Sequence, residues 1–208
     1  CDPALGILEA LAAARGARRV VGVHATSGAA VEALRAGRAH AALVHARTGA
    51  LPAPGVPVAR LRVARWRVGF AVPAAGPGHA VPDILARAPA IVQRQESAAS
   101  QRALAAAAAG LGLPVPPGPR AGGHLEAARM GRDTGAPALT MEPAARAFGL
   151  GFVPIETHSV ELWIGDRWRG EPAVAGLLDV LRSAALRARL EAVGGYDLDG
   201  IGDPVVAS

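Results

Sequence analysis

The chain has 208 residues, 51% of them apolar and 3% aromatic, which is enough for an ordinary buried core in one large domain or two lobes. No apolar run approaches the roughly 18 to 20 residues that span a bilayer, so a soluble globular chain is expected. The formal charge of +5 comes from 22 arginines with no lysine. They are scattered, so a surface that grips nucleic acid directly is not expected.

Read in order, Pro3 to Ala14 is a helix with Asp2 as N-cap, Pro3 at the favoured first position, Leu5, Leu8 and Leu11 on one face and Gly16 as its stop. Val20 to His24 reads as a buried strand ending in Ala25-Thr26-Ser27-Gly28, after which Ala29 to Ala36 form a helix and Ala41 to His45 a further apolar strand. Alternation at this short period argues for an α/β fold with a parallel sheet and helices on both faces. Thr48 to Gly55 is loop. Val58 to Val72 then alternates over an unusual length, with Arg60, Arg62, Arg65 and Arg67 as its solvent face.

Pro73 to Pro82, including Gly76-Pro77-Gly78, is loop, and Asp83 to Arg87 a short helix capped by Asp83. Ile91-Val92 is a strand that delivers the polar knot Gln93-Arg94-Gln95-Glu96-Ser97. Ser97 to Gly110 is an Ala-rich helix with Ser97 as N-cap and Ser100 one turn in. Leu111 to Gly122 is a Pro/Gly connection, Gly123 to Gly131 opens a helix, and Ala138 to Thr140 is a short strand. Glu142 to Phe148 is a helix and Phe152 to Ile155 a strand, and Glu156 to Ile164 is a second long alternating strand. Glu171 to Val193 is a helix pair, followed by Gly194-Gly195 and a tail expected to fray.

The two long alternating segments bracket a self-contained strand-helix unit, as in a two-lobed protein whose chain crosses over and returns. Residues 1–70 with 156–208 are expected to form one lobe and 71–155 the other, with ligand in the cleft between them. Strand-to-helix corners at Asp2, at Thr26-Ser27 and at Ser97 each present unpaired helix-start amides, so a small anion is the expected guest if the corners converge.

Several pieces carry a family resemblance: CDPALGIL, SGAAVEALRAGRAHAALVHA, RWRVGFAVPAAGPG, VQRQESAASQRAL, HLEAARMG with MEPAARAFGLGFVPIE, HSVELW and VGGYDLDGIG. In this order they resemble the periplasmic-binding-protein-like domain found behind helix-turn-helix modules in bacteria, related to periplasmic molybdate-binding proteins and to the effector lobe of LysR-type regulators. The resemblance implies the type II periplasmic-binding-protein fold, two Rossmann-like lobes joined by two crossover strands. The family pattern has Asn-Arg-Gln followed by Gly-Ser-Gly-Thr-Arg. Here Gln93-Arg94-Gln95 is followed by Ser97-Ala98-Ala99-Ser100-Gln101, keeping Arg94, Gln95 and Ser97 or Ser100 but not the glycines that allow close backbone approach.

The reading that results is a ligand-sensing domain of a cytoplasmic transcription regulator that closes on molybdate or another small oxyanion. Asp2, Thr26, Ser27, Gln95, Ser97 and Ser100 are the leading ligand contacts, with Glu142, Thr157 and His158 from the far wall. DNA would be reached through an upstream helix-turn-helix module, as the start on Cys1 rather than Met suggests a segment of something longer. Homodimerisation is left open, and no membrane contact is expected. A solute-binding protein of an ABC transporter and a protein associated with molybdenum-cofactor biosynthesis remain alternatives.

No cofactor, metal or catalytic residue is expected. Cys1 is the sole cysteine, which points to a reducing compartment. The histidines His24, His40, His45, His79, His124 and His158 lack metal-ligand spacing. Ser27-Gly28 is no nucleophile elbow, and Glu156 and Glu161 fall on opposite strand faces. Packing is the preferred role for Trp66 and Trp163.

Overall fold

The computed structural model describes residues 2–14, 20–73 and 80–205; Cys1, the Gly16 stop, the Gly76-Pro77-Gly78 loop and His79 lie outside them. The elements run α1 (Pro3–Ala14), α2 (Ser27–Arg35), β1 (Ala41–Arg47), β2 (Val58–Val72), α3 (Val81–Arg87), β3 (Gln93–Arg94), α4 (Ala99–Gly110), β4 (Arg120–Ala121), α5 (His124–Thr134), β5 (Ala138–Met141), α6 (Glu142–Ala147), β6 (Gly151–Gly165), α7 (Pro172–Leu181) and α8 (Ala184–Val193). The chain separates into two compact units, one of Asp2 with Trp66–His158 and one of Pro3–Arg65 with Ser159 onward. The 15-residue strands β2 and β6 each pass from one unit into the other. The segments Phe152 to Ile155 and Glu156 to Ile164, expected as two strands, are both parts of β6.

In the unit containing Trp66–His158, β2 lies between β6 and β5. It pairs with β5 antiparallel, from Val68 opposite Met141 to Ala71 opposite Ala138. Val92 then bridges Ala138 in parallel, and β3 runs parallel to β4. The sheet is therefore mixed rather than all parallel: the strands linked through α4 and α5 run the same way, as helical crossovers require, whereas β2 arrives from the other unit and runs against them. Small side chains let α5 sit close on β5, and Ala71, Val92, Ala121, Ala127, Ala138 and Ala145 make a shared core. At Gly69 the approach of the two strands is close, because a Cβ there would stand 2.0 Å from the Val153 carbonyl oxygen of β6.

In the other unit β6 lies between β1 and β2. Val31, Leu34, Ala42, Val44 and Trp163 form its core against α2, and α1 packs on α7 and α8 through buried Leu8 and Leu11. Two expectations are corrected here. Val20 to His24 is not a buried strand: Val21 and Val23 are 74% and 80% exposed, and the Gly22 N–H donates to the Glu9 carboxylate of α1 rather than to a neighbouring strand. A short apolar run makes a strand only where a partner strand takes up its backbone groups. The tail does not fray over 196–205. Arg65 and Asp197 exchange both backbone hydrogen bonds at 2.8 Å, the Arg62 N–H donates to the Asp203 carbonyl at 2.9 Å, and Val205 N–H donates to the Arg60 carbonyl at 2.9 Å.

Candidate functional site

The chemistry concentrates where β3 turns into α4. Buried Ile91 and Val92 lead into the corner, and the Gln93 N–H donates to the Pro119 carbonyl at 2.8 Å. A relay of amide side chains then locks helix to strand. Gln101 Nε2 donates to Gln93 Oε1 at 2.9 Å, Gln101 Oε1 accepts from the Arg94 N–H at 2.9 Å, and Gln93 Nε2 donates to the Pro116 carbonyl at 2.8 Å. The helix begins two residues later than expected. Residues 95–98 close a turn through Ala98 N–H to the Gln95 carbonyl at 2.9 Å, and the cap position falls to Ala98. Alanine has no oxygen to offer, so the first-turn amides of α4 are left without a side-chain cap.

Two polar side chains beside those amides are buried with unused hydrogen-bonding capacity. Arg94 is 4% exposed; one Nη donates to the Gly122 carbonyl at 3.2 Å, while Nε and the other Nη have no partner among the described residues. Ser100 is fully buried, in the first turn of α4, and its Oγ has no partner either. Burial pushes the Arg94 guanidinium down to about 10, partly opposed by the Glu126 carboxylate, which itself accepts the Gly122 N–H at 2.7 Å. At neutral pH the guanidinium is still charged. The corner thus holds a buried cation, a free hydroxyl and uncapped amides, a donor set suited to an anion. Gln95 and Ser97 are exposed residues of the same turn, and the Ser97 carbonyl accepts from Arg102 at 2.8 Å.

The same unit holds four further candidates. Asp2 is buried and accepts from Trp66 Nε1 at 3.0 Å. His158 is buried, stacks on Trp66 with ring centroids 5.2 Å apart and hydrogen bonds to Glu156 at 2.7 Å; Thr157 beside it is exposed. Burial pushes the His158 imidazole below its ordinary range and outweighs the opposing pull of Glu156. Glu142, in the first turn of α6, is gripped by Arg67 at 2.7 and 2.8 Å and by Arg146 at 2.9 and 3.1 Å. Burial raises its carboxyl, and the two arginines more than offset this and hold it below the usual range.

Thr26 and Ser27 belong to the other unit. Thr26 Oγ1 caps α2 by accepting from Ala29 N–H at 3.3 Å, and Ser27 Oγ makes two contacts with the His45 backbone, at 3.0 and 3.2 Å. Glu156 and Glu161 have separate partners, since Glu161 pairs with Arg60 at 2.7 Å. Trp66 packs, against His158 and His124, and Trp163 packs in its unit's core while donating to Glu161 at 2.7 Å. Among the described residues no group of three His, Cys, Asp or Glu side chains could hold a metal ion.

In the sequence, hydroxyls and helix starts mark the candidates, and Arg94, Gln93 and Gln101 are neither. Arg94 carried a signal, being the arginine kept from the family motif. The glutamine relay carried none, because its partners stand eight residues apart across a strand, a turn and a helix.

A family model described as the PBP superfamily domain matches residues 8–182. Among solved structures, the chain is similar to a phosphate ABC transporter substrate-binding protein with bound phosphate from Clostridium perfringens, with 10% identity over 94% of each chain and a TM-score of 0.70. It is also similar to an ABC-type phosphate transport receptor from Vibrio cholerae (11% identity, 94% of each chain, TM-score 0.56). A third likeness is to the effector binding domain of a BenM variant, at 16% identity over 92% of this chain and 91% of that one, with a TM-score of 0.63. No curated protein matches. The fold they share is the type II periplasmic-binding-protein fold, with β2 and β6 as its two crossover strands, and the chain belongs to the PBP superfamily as a ligand-binding domain.

Proposed function

We propose that the domain binds a small oxyanion, such as molybdate or phosphate, at the β3–α4 corner, and that it serves as the effector-sensing part of a cytoplasmic transcription regulator rather than as an enzyme. The observation that carries the anion is the pair of buried, unsatisfied groups, Arg94 and Ser100, at the uncapped start of α4. A buried guanidinium with two idle nitrogens and a buried hydroxyl with none engaged carry a desolvation cost that an incoming anion offsets. Gln95 and Ser97 add donors at the rim, and Asp2, Thr157 and His158 are further candidates from the same unit. Glu142 is already committed to two arginines and is the weakest of the set. Thr26 and Ser27 belong to the other unit, where their hydroxyls are engaged by Ala29 and His45.

The regulator reading is supported by the likeness to the BenM effector domain and to CbnR, a LysR family transcriptional regulator. DNA would then be bound by a helix-turn-helix module preceding Cys1, and a homodimer is the assembly such a regulator uses. Ligand would alter DNA affinity only through a difference in its affinity for two states of the domain. The likeness to two phosphate transport proteins favours a second reading, a solute-binding protein. Reading the codons upstream of Cys1 separates the two: a helix-turn-helix supports the regulator, a secretion leader the transporter.

The anion is tested by calorimetry with molybdate, tungstate, phosphate, sulfate and small carboxylates on the wild type and on Arg94→Gln. One of the oxyanions is expected to bind, with at least about tenfold loss in Arg94→Gln. Absence of any binding, or equal binding by the variant, overturns the proposal.

A further inference from the structure

A second cationic groove lies wholly in the unit of Pro3–Arg65 and Ser159 onward. It encloses about 380 Å³, within the range of small-ligand sites, and is lined by β2, β6, the turn after β1 and the carboxy-terminal segment. Three arginines face it, and two are already answered. Arg60 is bound through two nitrogens to Glu161 at 2.7 and 2.9 Å, and Arg65 pairs with Asp197 at 2.8 Å. Arg62 makes no side-chain hydrogen bond among the described residues, and it lies in the field of Asp197, the carboxylate that pairs with Arg65. Its backbone is fixed through both its N–H and its carbonyl, by Asp203 and Gly202 of the carboxy-terminal segment.

Opposite the charge stand two hydroxyls. Thr48 Oγ1 and Ser159 Oγ share a hydrogen bond at 3.1 Å, which uses one of their two protons and leaves the other O–H to donate. The rest of the lining is apolar, from Leu51, Ala64, Val160 and Val205. Three guanidiniums stand against the two carboxylates Glu161 and Asp197, an excess of one positive charge that suits a single negative charge; the planar fork of Arg62 matches a carboxylate, and the apolar lining suits a hydrocarbon body.

We propose that this groove is a second ligand site, which takes a small organic monocarboxylate with its carboxylate on Arg62 and the Thr48–Ser159 hydroxyls and its apolar body against Leu51, Ala64 and Val205. The site is independent of the oxyanion corner. Because the carboxy-terminal segment forms one wall, occupancy also tightens that segment onto β2.

The test is an amide NMR titration with cyclohexanecarboxylate, with the neutral cyclohexanecarboxamide and with sulfate, joined to hydrogen exchange at Asp197, Gly202 and Val205. Saturable shifts at residues 48–51, 159–161 and 203–205 are expected with the carboxylate alone, together with slower exchange in the tail. Arg62→Gln is expected to weaken the response about tenfold or more, and Arg62→Lys to recover part of it. In Arg94→Gln, which removes the oxyanion corner, the response persists. No saturable shift, an equal response to the carboxamide or to sulfate, or full affinity in Arg62→Gln overturns the proposal.

Discussion

Replacing Ser100 by alanine removes one oxygen from a position where the fold gives it nothing to do. The side chain is fully buried, and its hydroxyl has no partner among the described residues. A buried hydroxyl without a hydrogen bond costs about 1–3 kcal/mol by mutational measure. Alanine is also the better helix former by a few tenths of a kcal/mol. In buffer free of oxyanions, Ser100→Ala is therefore expected to be more stable than the wild type by about 1–2 kcal/mol. For a chain of this size that is a rise in Tm of about 2–8 °C. If the same hydroxyl donates to a bound anion, the substitution costs about 1 kcal/mol or more of binding, a fall in affinity of about fivefold or more. Stability and affinity thus move in opposite directions. Thermal unfolding followed by circular dichroism in chloride buffer, repeated with saturating oxyanion, reads both: the variant melts higher without ligand and gains less from it. A lower Tm for the ligand-free variant would show that the hydroxyl has a structural partner. An unchanged ligand-induced rise would remove Ser100 from the site.

Three further outcomes are expected. Glu142→Gln should lower stability by about 1 kcal/mol near neutral pH, a modest figure because Arg67 and Arg146 are half exposed and screened. Since the folded carboxyl lies below its ordinary value, this contribution is present above the ordinary value and lost as pH falls through the folded one, so the melting curves of variant and wild type should converge in acid. His158, held neutral by burial, contributes stability that is complete above about pH 6.5 and declines as pH falls through its depressed value. His158→Phe should flatten the fall in Tm between about pH 7 and pH 5, and an unchanged slope would assign the acid sensitivity elsewhere. Gly69→Ala drives a methyl group to 2.0 Å from the Val153 carbonyl oxygen, which two paired backbones cannot both yield to; a loss of about 3 kcal/mol or more is expected in denaturant unfolding, and wild-type stability would refute the close approach of β2 and β6.

What could be read from the sequence follows the range of the interaction. The crossover strand β2 was legible because alternation over 15 residues is a local pattern, whereas β6 reads from sequence as two strands, Phe152 to Ile155 and Glu156 to Ile164; the helix pair over 171–193 was legible without its break, which the structure puts at Ser183, the cap of α8. The start of α4 was misplaced because Ser97 is the better cap by composition, whereas the turn closed by Gln95 and Ala98 decides where the helix begins. Val20 to His24 had the apolar content of a strand but not the neighbour. The ordered tail was hidden by its glycines and aspartates, which carry no periodicity; its register is written in the backbone of β2, 132 residues away at Arg65 and Asp197. Asp2 meeting Trp66 is a contact of the same kind, joined across 64 residues.

That tail also works as a selvedge. By lying along the outer margin of β2 it occupies the carbonyl of Arg60 and the amide and carbonyl groups of Arg62 and Arg65, which would otherwise face solvent as a template for a foreign strand. Trimming the protein at Gly195, where regular structure gives out, would unpick that hem and leave a sticky border on which copies can zip together. A shortened version that precipitates would then be reporting a bared strand margin rather than a damaged core.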